Sequence, residues 1–277
     1  MRFTKMHGAG NDFIIINNME ERIPVSELSD LAKALCNRRM SIGADGFIAV
    51  DHPESSGDFK MLFYNSDGSA GEMCGNGARC IARYGYENKL SGEVQKIETA
   101  AGVVYGWRLD KRVYKVRLPD VVITKLYLNL DVFGSQFSCF YLELGDPGLP
   151  HAGIEVSGIR TIKSENLKEL GFALRHHSTF EKGANINFWD LTGENELHVL
   201  TFERGVEDFT LACGSGAGAT VAALTLMDKV SGENTKVCVP GGELFVTAVR
   251  SGEKITELYL SGFACMVAEG IILERNS

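Results

Sequence analysis

A five-residue turn, Cys74-Gly75-Asn76-Gly77-Ala78, recurs as Cys213-Gly214-Ser215-Gly216-Ala217, an offset of 139 in a chain of 277 residues. Ala101-Gly102-Val103-Val104-Tyr105 matches Gly241-Gly242-Glu243-Leu244-Phe245 at an offset of 140. Leu118 and Leu260, each closing a strand-like run, lie 142 apart. One match between Gly- and Ala-rich pentamers is weak, but three at nearly one offset imply two related halves with the same order of elements. Gly8-Ala9 and Gly183-Ala184, at an offset of 175, fall outside the scheme.

Local patterning fills these halves mostly with strands. Phe13–Asn17, Phe47–Val50, Lys60–Tyr64, Val103–Leu109, Val113–Leu118, Ser138–Leu144, Leu197–Phe202 and Leu244–Val249 are rich in β-branched and aromatic residues. Ser26 is expected to cap a helix bearing Leu28, Leu31, Ala32 and Leu35, and Ser164 another bearing Leu167 and Leu170 and stopped near Gly171. Two more helices follow the Cys-Gly-x-Gly-Ala turns, one with Ala78, Ile81 and Ala82, the other with Ala217, Val221 and Leu224. Small apolar faces of this kind belong against a sheet. The expected fold is therefore α+β, two pseudo-symmetric domains that each curl a β-sheet around a central helix. The boundary is placed in the stretch 119–125, giving halves 1–120 and 121–277, with the last residues free to pack back on the first half.

Composition narrows the partners. An apolar fraction of 44 % and a charged fraction of 23 % suit a globular chain that needs no staples. The net charge is −8 with no basic block, which argues against nucleic acid or an anionic membrane. No apolar run nears the roughly 18 residues of a spanning helix, and Met1-Arg2-Phe3-Thr4-Lys5 is no signal peptide, so the expected location is cytoplasmic. Seven cysteines without framework spacing read as thiols, most of them small buried residues. Without a Cys-x-x-Cys pair no metal site is expected. Gly214-Ser215-Gly216-Ala217-Gly218 lacks the spacing of a dinucleotide loop, and no P-loop is present.

Cys74 and Cys213 stand apart because each precedes a glycine turn and a helix. The unpaired N–H groups and dipole of a helix start favour negative charge, and so a thiolate. The same N–H groups can hold a carboxylate, and glycine lets it approach the backbone. Two such elements on related halves could present thiols to opposite faces of one molecule. Inverting a stereocentre needs that arrangement, a base on one face and an acid on the other.

Further segments carry a family resemblance. Lys5-Met6-His7-Gly8-Ala9-Gly10-Asn11-Asp12-Phe13, the run Arg38–Gly46, Asn65-Ser66-Asp67-Gly68-Ser69 and Met73–Cys80 resemble the diaminopimelate epimerase pattern. So do Gly183–Phe188, Glu203-Arg204-Gly205-Val206, Ala212–Ala217, Pro240-Gly241-Gly242 and Ser261-Gly262. Asn76 differs from the His usual in proline racemases, which share the mechanism and a similar fold. The resemblance implies Cys74 and Cys213 as catalytic acid/bases, with His151 and Glu203 as auxiliaries. It also implies Gly75, Asn76, Gly214 and Ser215 around the reacting carboxylate, and Asn11, Asn65, Asn185, Glu203 and Arg204 as substrate ligands. No cofactor and no metal are implied. The partner implied is a small-molecule amino acid, most simply LL-diaminopimelate converted to the meso form on the route to lysine and peptidoglycan. A homodimer is left open.

Three departures bear on substrate. Gly145-Asp146-Pro147-Gly148-Leu149-Pro150-His151 places Leu149, or Asp146 on realignment, where the family carries a substrate-binding Asn. Glu207-Asp208-Phe209 contains one extra residue, and Ala217-Gly218-Ala219 replaces the family's Ala-Cys-Ala. The proton-transfer machinery is intact, but a sister racemase acting on another amino acid such as histidine, a phenazine-type isomerase and a non-catalytic binding relative are alternative readings.

Overall fold

Alternating and continuous apolar runs become strands, and each half wraps its strands around one helix whose small side chains let the sheet come close. The structure, a computed structural model, describes residues 1–71 and 73–273. Packing divides the chain into two units, Met1–Val116 with the residues from Ser261 onward, and Arg117–Leu260.

In the first unit β1 (Arg2–Gly8) and β2 (Asn11–Asn17) form a hairpin, followed by α1 (Asn18–Glu21), α2 (Val25–Leu35) and β3 (Gly46–Asp51), which lies parallel to β2. Next, β4 (Phe59–Asn65) runs antiparallel to β3, and the short β5 (Ala70–Gly71) folds back on it. The chain then forms α3 (Gly75–Glu87), β6 (Val94–Thr99) parallel to β4, and the antiparallel β7 (Gly102–Arg108) and β8 (Val113–Arg117).

The second unit opens with β9 (Val121–Val132), antiparallel to β10 (Ser135–Leu144), which pairs with β11 (Leu149–Glu155). After α4 (Lys168–Arg175), β12 (Asn185–Gly193) lies parallel to β11, and β13 (Glu196–Glu203) is antiparallel to β12. The short β14 (Asp208–Phe209) folds back on β13, and α5 (Gly214–Leu226) follows. Then come β15 (Thr235–Val239) parallel to β13, β16 (Gly242–Ser251) antiparallel to β15, and β17 (Lys254–Phe263). The final strand, β18 (Cys265–Ile271), pairs with β1.

Strand orientations coincide at every step from β2 to β7 and from β11 to β16, so the duplication read from the Cys-Gly turns extends to the pairing scheme. The correspondence also accounts for the chain's return. In the second unit β9 precedes β10 and covers its edge; in the first unit β18 covers β1 from the other end of the sequence. Without it the outer edge of β1 would expose unpaired backbone groups.

Several local expectations need correction. The stretch 119–125 is strand from Val121 onward. The division by packing falls after Val116 and again at Ser261. Ser26 lies inside α2, whose N-cap is Pro24 with no side-chain cap bond. Ser164 opens a 3-10 turn, and Gly171 sits within α4 because its bare Cα faces Phe202.

The first sheet is buried on both sides. Phe13, Ile15, Ile48 and Met61 pack with Ile81 and Ala82 of α3, while Ile14, Ile16, Phe47 and Ala49 pack with Leu28, Leu31 and Leu35 of α2. Both-sided burial explains why β2 and β3 read as continuous apolar runs rather than alternating ones. Helix α5 is apolar around its circumference, with only Ser215 not fully buried. Among the described residues no helix is long and apolar enough to cross a membrane.

Close approach of α3 to its sheet makes a prediction. Gly85 lies in the helix interior, where Ala would gain about 1 kcal/mol of propensity. A Cβ there would stand 2.6 Å from the Phe59 ring, itself fully buried. Overpacking costs about 1–3 kcal/mol and should win. Gly85→Ala is expected to lower stability in urea denaturation; a stabilised variant would show that the ring yields freely.

Candidate active site

Cys74 is the N-cap of α3 and Cys213 the N-cap of α5, both with extended backbone, before helices of 13 residues each. Intrahelical bonding starts with the Ala78 N–H on the Cys74 carbonyl at 2.7 Å, and the Ala217 N–H on the Cys213 carbonyl at 3.0 Å. The preceding N–H groups of each first turn have no carbonyl within the helix to donate to, which is the anion-receptive state of a helix start.

The two thiols differ in their partners. Cys74 Sγ donates to Asn11 Oδ1 at 3.5 Å, and Asn76 Nδ2 donates to the same oxygen at 3.3 Å. Cys213 Sγ accepts the Gly216 N–H at 3.3 Å and lies 3.4 Å from Ser215 Oγ. Gly216 is obligatory there, because a Cβ would stand 2.4 Å from Asn187 Oδ1 and 3.0 Å from Thr201 Oγ1.

A charge network fixes Asn11. Its Nδ2 donates to Asp45 at 3.0 Å, so Oδ1 is the atom left for Cys74. Asp45 shares Arg38 with Asp12, and Lys5 pairs with Asp12 at 2.8 Å. Burial works against the Asp12 carboxylate, but hydrogen bonds from Arg38 and Lys5 outweigh it and hold its pKa at about 2. Arg79, on the next turn of α3, is wholly buried; it donates to the Gly75 carbonyl and to Asn76 Oδ1.

In the second unit His151 and Asn185 face each other on the parallel strands β11 and β12. Asn185 is engaged by backbone on both sides: Nδ2 donates to the Pro150 carbonyl at 3.3 Å and Oδ1 accepts the Arg204 N–H at 2.8 Å. Its side chain thus positions the start of Arg204. The Arg204 guanidinium donates to the Lys182 carbonyl and has no carboxylate partner among the described residues. Glu203 accepts from Thr210 Oγ1 at 2.9 Å. Asn65, exposed at the end of β4, closes the 65–69 turn through Ser69 Oγ. These residues therefore gather into two groups: Asn11, Gly75 and Asn76 about Cys74, and Gly214 and Ser215 about Cys213 with His151, Asn185, Glu203 and Arg204 on neighbouring strands.

The residue missed by sequence reasoning is Asn187. Fully buried, it accepts from Thr201, donates to the Ala152 carbonyl at 3.1 Å, lies 3.4 Å from His151 Nδ1 and presses on the first turn of α5. Its position two residues after Asn185 on β12 was the available signal. His151 itself is buried, and burial, with help from Arg204, pushes its pKa down to about 3, so the ring is neutral. Its Nε2 has no hydrogen-bond partner among the described residues.

No disulfide joins any of the seven cysteines. Burial raises the thiols of Cys36, Cys80 and Cys139 to about 12, which makes them inert packing residues. Among the described residues no trio of metal-ligating side chains lies at Cys74 or Cys213.

The family model for diaminopimelate epimerase matches residues 3–117 and 145–267. A diaminopimelate epimerase of Aquifex aeolicus is 35 % identical over 99 % of both chains, and one of Methanothrix thermoacetophila is 35 % identical over 99 % of this chain and 97 % of its own. Among solved structures, a probable proline racemase of Agrobacterium radiobacter aligns with a TM-score of 0.71 at 16 % identity, covering 99 % of this chain and 93 % of that one. A predicted epimerase of Pseudomonas aeruginosa aligns with a TM-score of 0.67 at 13 % identity over 99 % of both. These structures share the fold.

The neutral His151 sets a pH dependence. Its folded pKa lies below the ordinary 6.5, so the unfolded chain binds the extra proton between pH 6.5 and about 3. The stability it contributes is complete above pH 6.5 and is lost as pH falls, at up to about 1.4 kcal/mol per unit. Denaturation midpoints at pH 7.5 and 5.0 should therefore diverge less in His151→Asn than in the unaltered protein. Equal divergence would mean the ring is charged in the folded state.

Proposed function

The chain belongs to the diaminopimelate epimerase family, and from that membership we propose that it inverts one α-carbon of diaminopimelate, LL to meso, by proton transfer through Cys74 and Cys213. The supporting observation is the pair of cysteine N-caps, each at the start of a buried helix with a glycine first turn. One thiol, as thiolate, removes the α-proton; the other delivers a proton to the opposite face. The C–H bonding pair passes into the carboxylate as it takes on enolate character and returns when the new C–H bond forms.

That intermediate is poor without stabilisation. N–H groups of Gly75 and Asn76 and of Gly214 and Ser215 supply preorganised donors for the developing negative charge. Asn11 orients Cys74 and the Gly216 N–H orients Cys213. His151, neutral, serves as a hydrogen-bonding auxiliary rather than a charge. Arg204, with no carboxylate partner among the described residues, suits a substrate carboxylate, and Glu203 suits an ammonium.

Cys74→Ala and Cys213→Ala should each lower inversion by at least ~10³-fold with the fold intact, since general acid and base each contribute about 10²–10⁴. Retention of inversion by either folded variant would remove the two-thiol mechanism.

Substrate choice rests on charge. If Arg204 and Glu203 bind a second zwitterionic head, substrates that lack it forgo both charge-assisted contacts, at a cost of several kcal/mol. In D₂O, loss of the α-proton should be faster for diaminopimelate than for histidine, lysine or alanine by orders of magnitude. Histidine exchanging faster would make this chain a sister racemase, with the same two thiols at work.

A further inference from the structure

The face of the second sheet opposite α5 carries, beyond the apolar residues Ile186, Phe188 and Phe202, a row of groups that proton transfer does not use. Cross-strand partners along it are Asp190 on β12, His198 on β13, Cys238 on β15 and Glu243 on β16. Glu196 lies two residues before His198, on the same face because side chains alternate along a strand. The intervening Leu197 and the neighbouring Val199 and Val237 are buried on the other face. Ligand atoms of Glu196, His198 and Cys238 all lie within 4.8 Å of one another.

We propose that Glu196, His198 and Cys238 form a zinc site, with water as the fourth ligand, that ties β13 to β15. A thiolate, an imidazole and a carboxylate make a borderline-soft donor set that suits zinc above magnesium or calcium. Tetrahedral zinc with bonds of roughly 2.0–2.3 Å needs its ligands closer together than 4.8 Å, a change that rotamers of three half-buried side chains supply.

Electrostatics favour a cation there. Three carboxylates, Asp190, Glu196 and Glu243, share the face with one lysine, Lys236, and Arg160 is the other cation near Cys238. Lys236 holds Glu243 at 2.8 Å but Glu196 only at 3.5 Å, so Glu196 can turn to a metal while Lys236 keeps its better partner. Thr192 Oγ1 donates to the other oxygen of Glu196 at 3.2 Å and can orient it. Asp190 is committed to the Gly158 N–H at 2.7 Å, which leaves it outside the ligand set. A thiol must lose its proton to bind zinc, so binding strengthens as pH rises.

The mechanical consequence lies in the sheet. Pairing of β13 with β15 is parallel and covers three residue pairs, Glu196 with Lys236 to His198 with Cys238. Zinc bound across the last of these adds a link between strands on either side of α5 in sequence.

The test is zinc binding by the full chain carrying Cys74→Ala and Cys213→Ala, so that the catalytic thiols do not compete. Titration against a chromophoric chelator should give one zinc per chain, with affinity increasing between pH 6.5 and 8. Cobalt in its place should show a thiolate charge-transfer band and tetrahedral visible bands. Adding Cys238→Ser or His198→Ala should weaken zinc by at least ~100-fold and abolish the cobalt band, with zinc-free denaturation midpoints confirming the fold. Zinc affinity unchanged in both variants, or no zinc bound at micromolar free metal, would overturn the proposal.

Discussion

A helix whose N-terminus is buried must find acceptors for N–H groups that no carbonyl of its own can reach. This chain has two such helices, α3 and α5, each sunk into its sheet from the first glycine onward. Small side chains permit that depth: Gly77, Ala78 and Ala82 on one, Gly216, Ala217 and Gly218 on the other. Depth in turn leaves the first-turn donors short of water. Cys213 Sγ takes one of them, and a substrate carboxylate suits the rest. Binding and thiol placement thus follow from one packing decision, and the duplicated pairing scheme makes it twice.

How much of this could be read from residues depended on distance along the chain. The Cys-Gly-x-Gly-Ala turns are local, so both helix starts and the duplication were legible. Strands such as β3, β4 and β13 announced themselves through β-branched and aromatic runs. β1, β6, β12 and β18 did not, because Lys5, Gln95, Asn185, Asn187 and Glu269 interrupt the apolar pattern. Asn185 and Asn187 are buried polar groups satisfied by backbone groups or a neighbouring side chain, and Gln95 Nε2 donates to the Ala82 carbonyl, compensations that no propensity scale registers. β18 was hidden for a second reason as well: its partner strand lies at the opposite end of the sequence.

The pairing scheme gives the substitution at Leu149 a physical meaning. Asn11 begins β2 and Leu149 begins β11, and each faces the last residue of the preceding strand, Gly8 or Leu144. They are equivalent positions. In the first unit the position supplies the oxygen that accepts from Cys74. In the second unit it supplies no polar atom, and Cys213 draws on Ser215 and the Gly216 N–H instead. The duplicated frame is therefore symmetric in backbone and asymmetric in chemistry.

His151 extends that asymmetry. It lies two residues beyond Leu149, where the first unit has Phe13, and it is as fully buried as that phenylalanine. A ring held near a pKa of 3 is too weak a base to compete with a thiolate for an α-proton at neutral pH. It is a fixed dipole, with Nδ1 close to the Asn187 amide and Nε2 without a hydrogen-bond partner among the described residues. Arg204, which pushes the ring further toward neutrality, has no carboxylate partner among the described residues. The pair thus keeps its positive charge on the guanidinium alone, because two adjacent charges would have to be desolvated together.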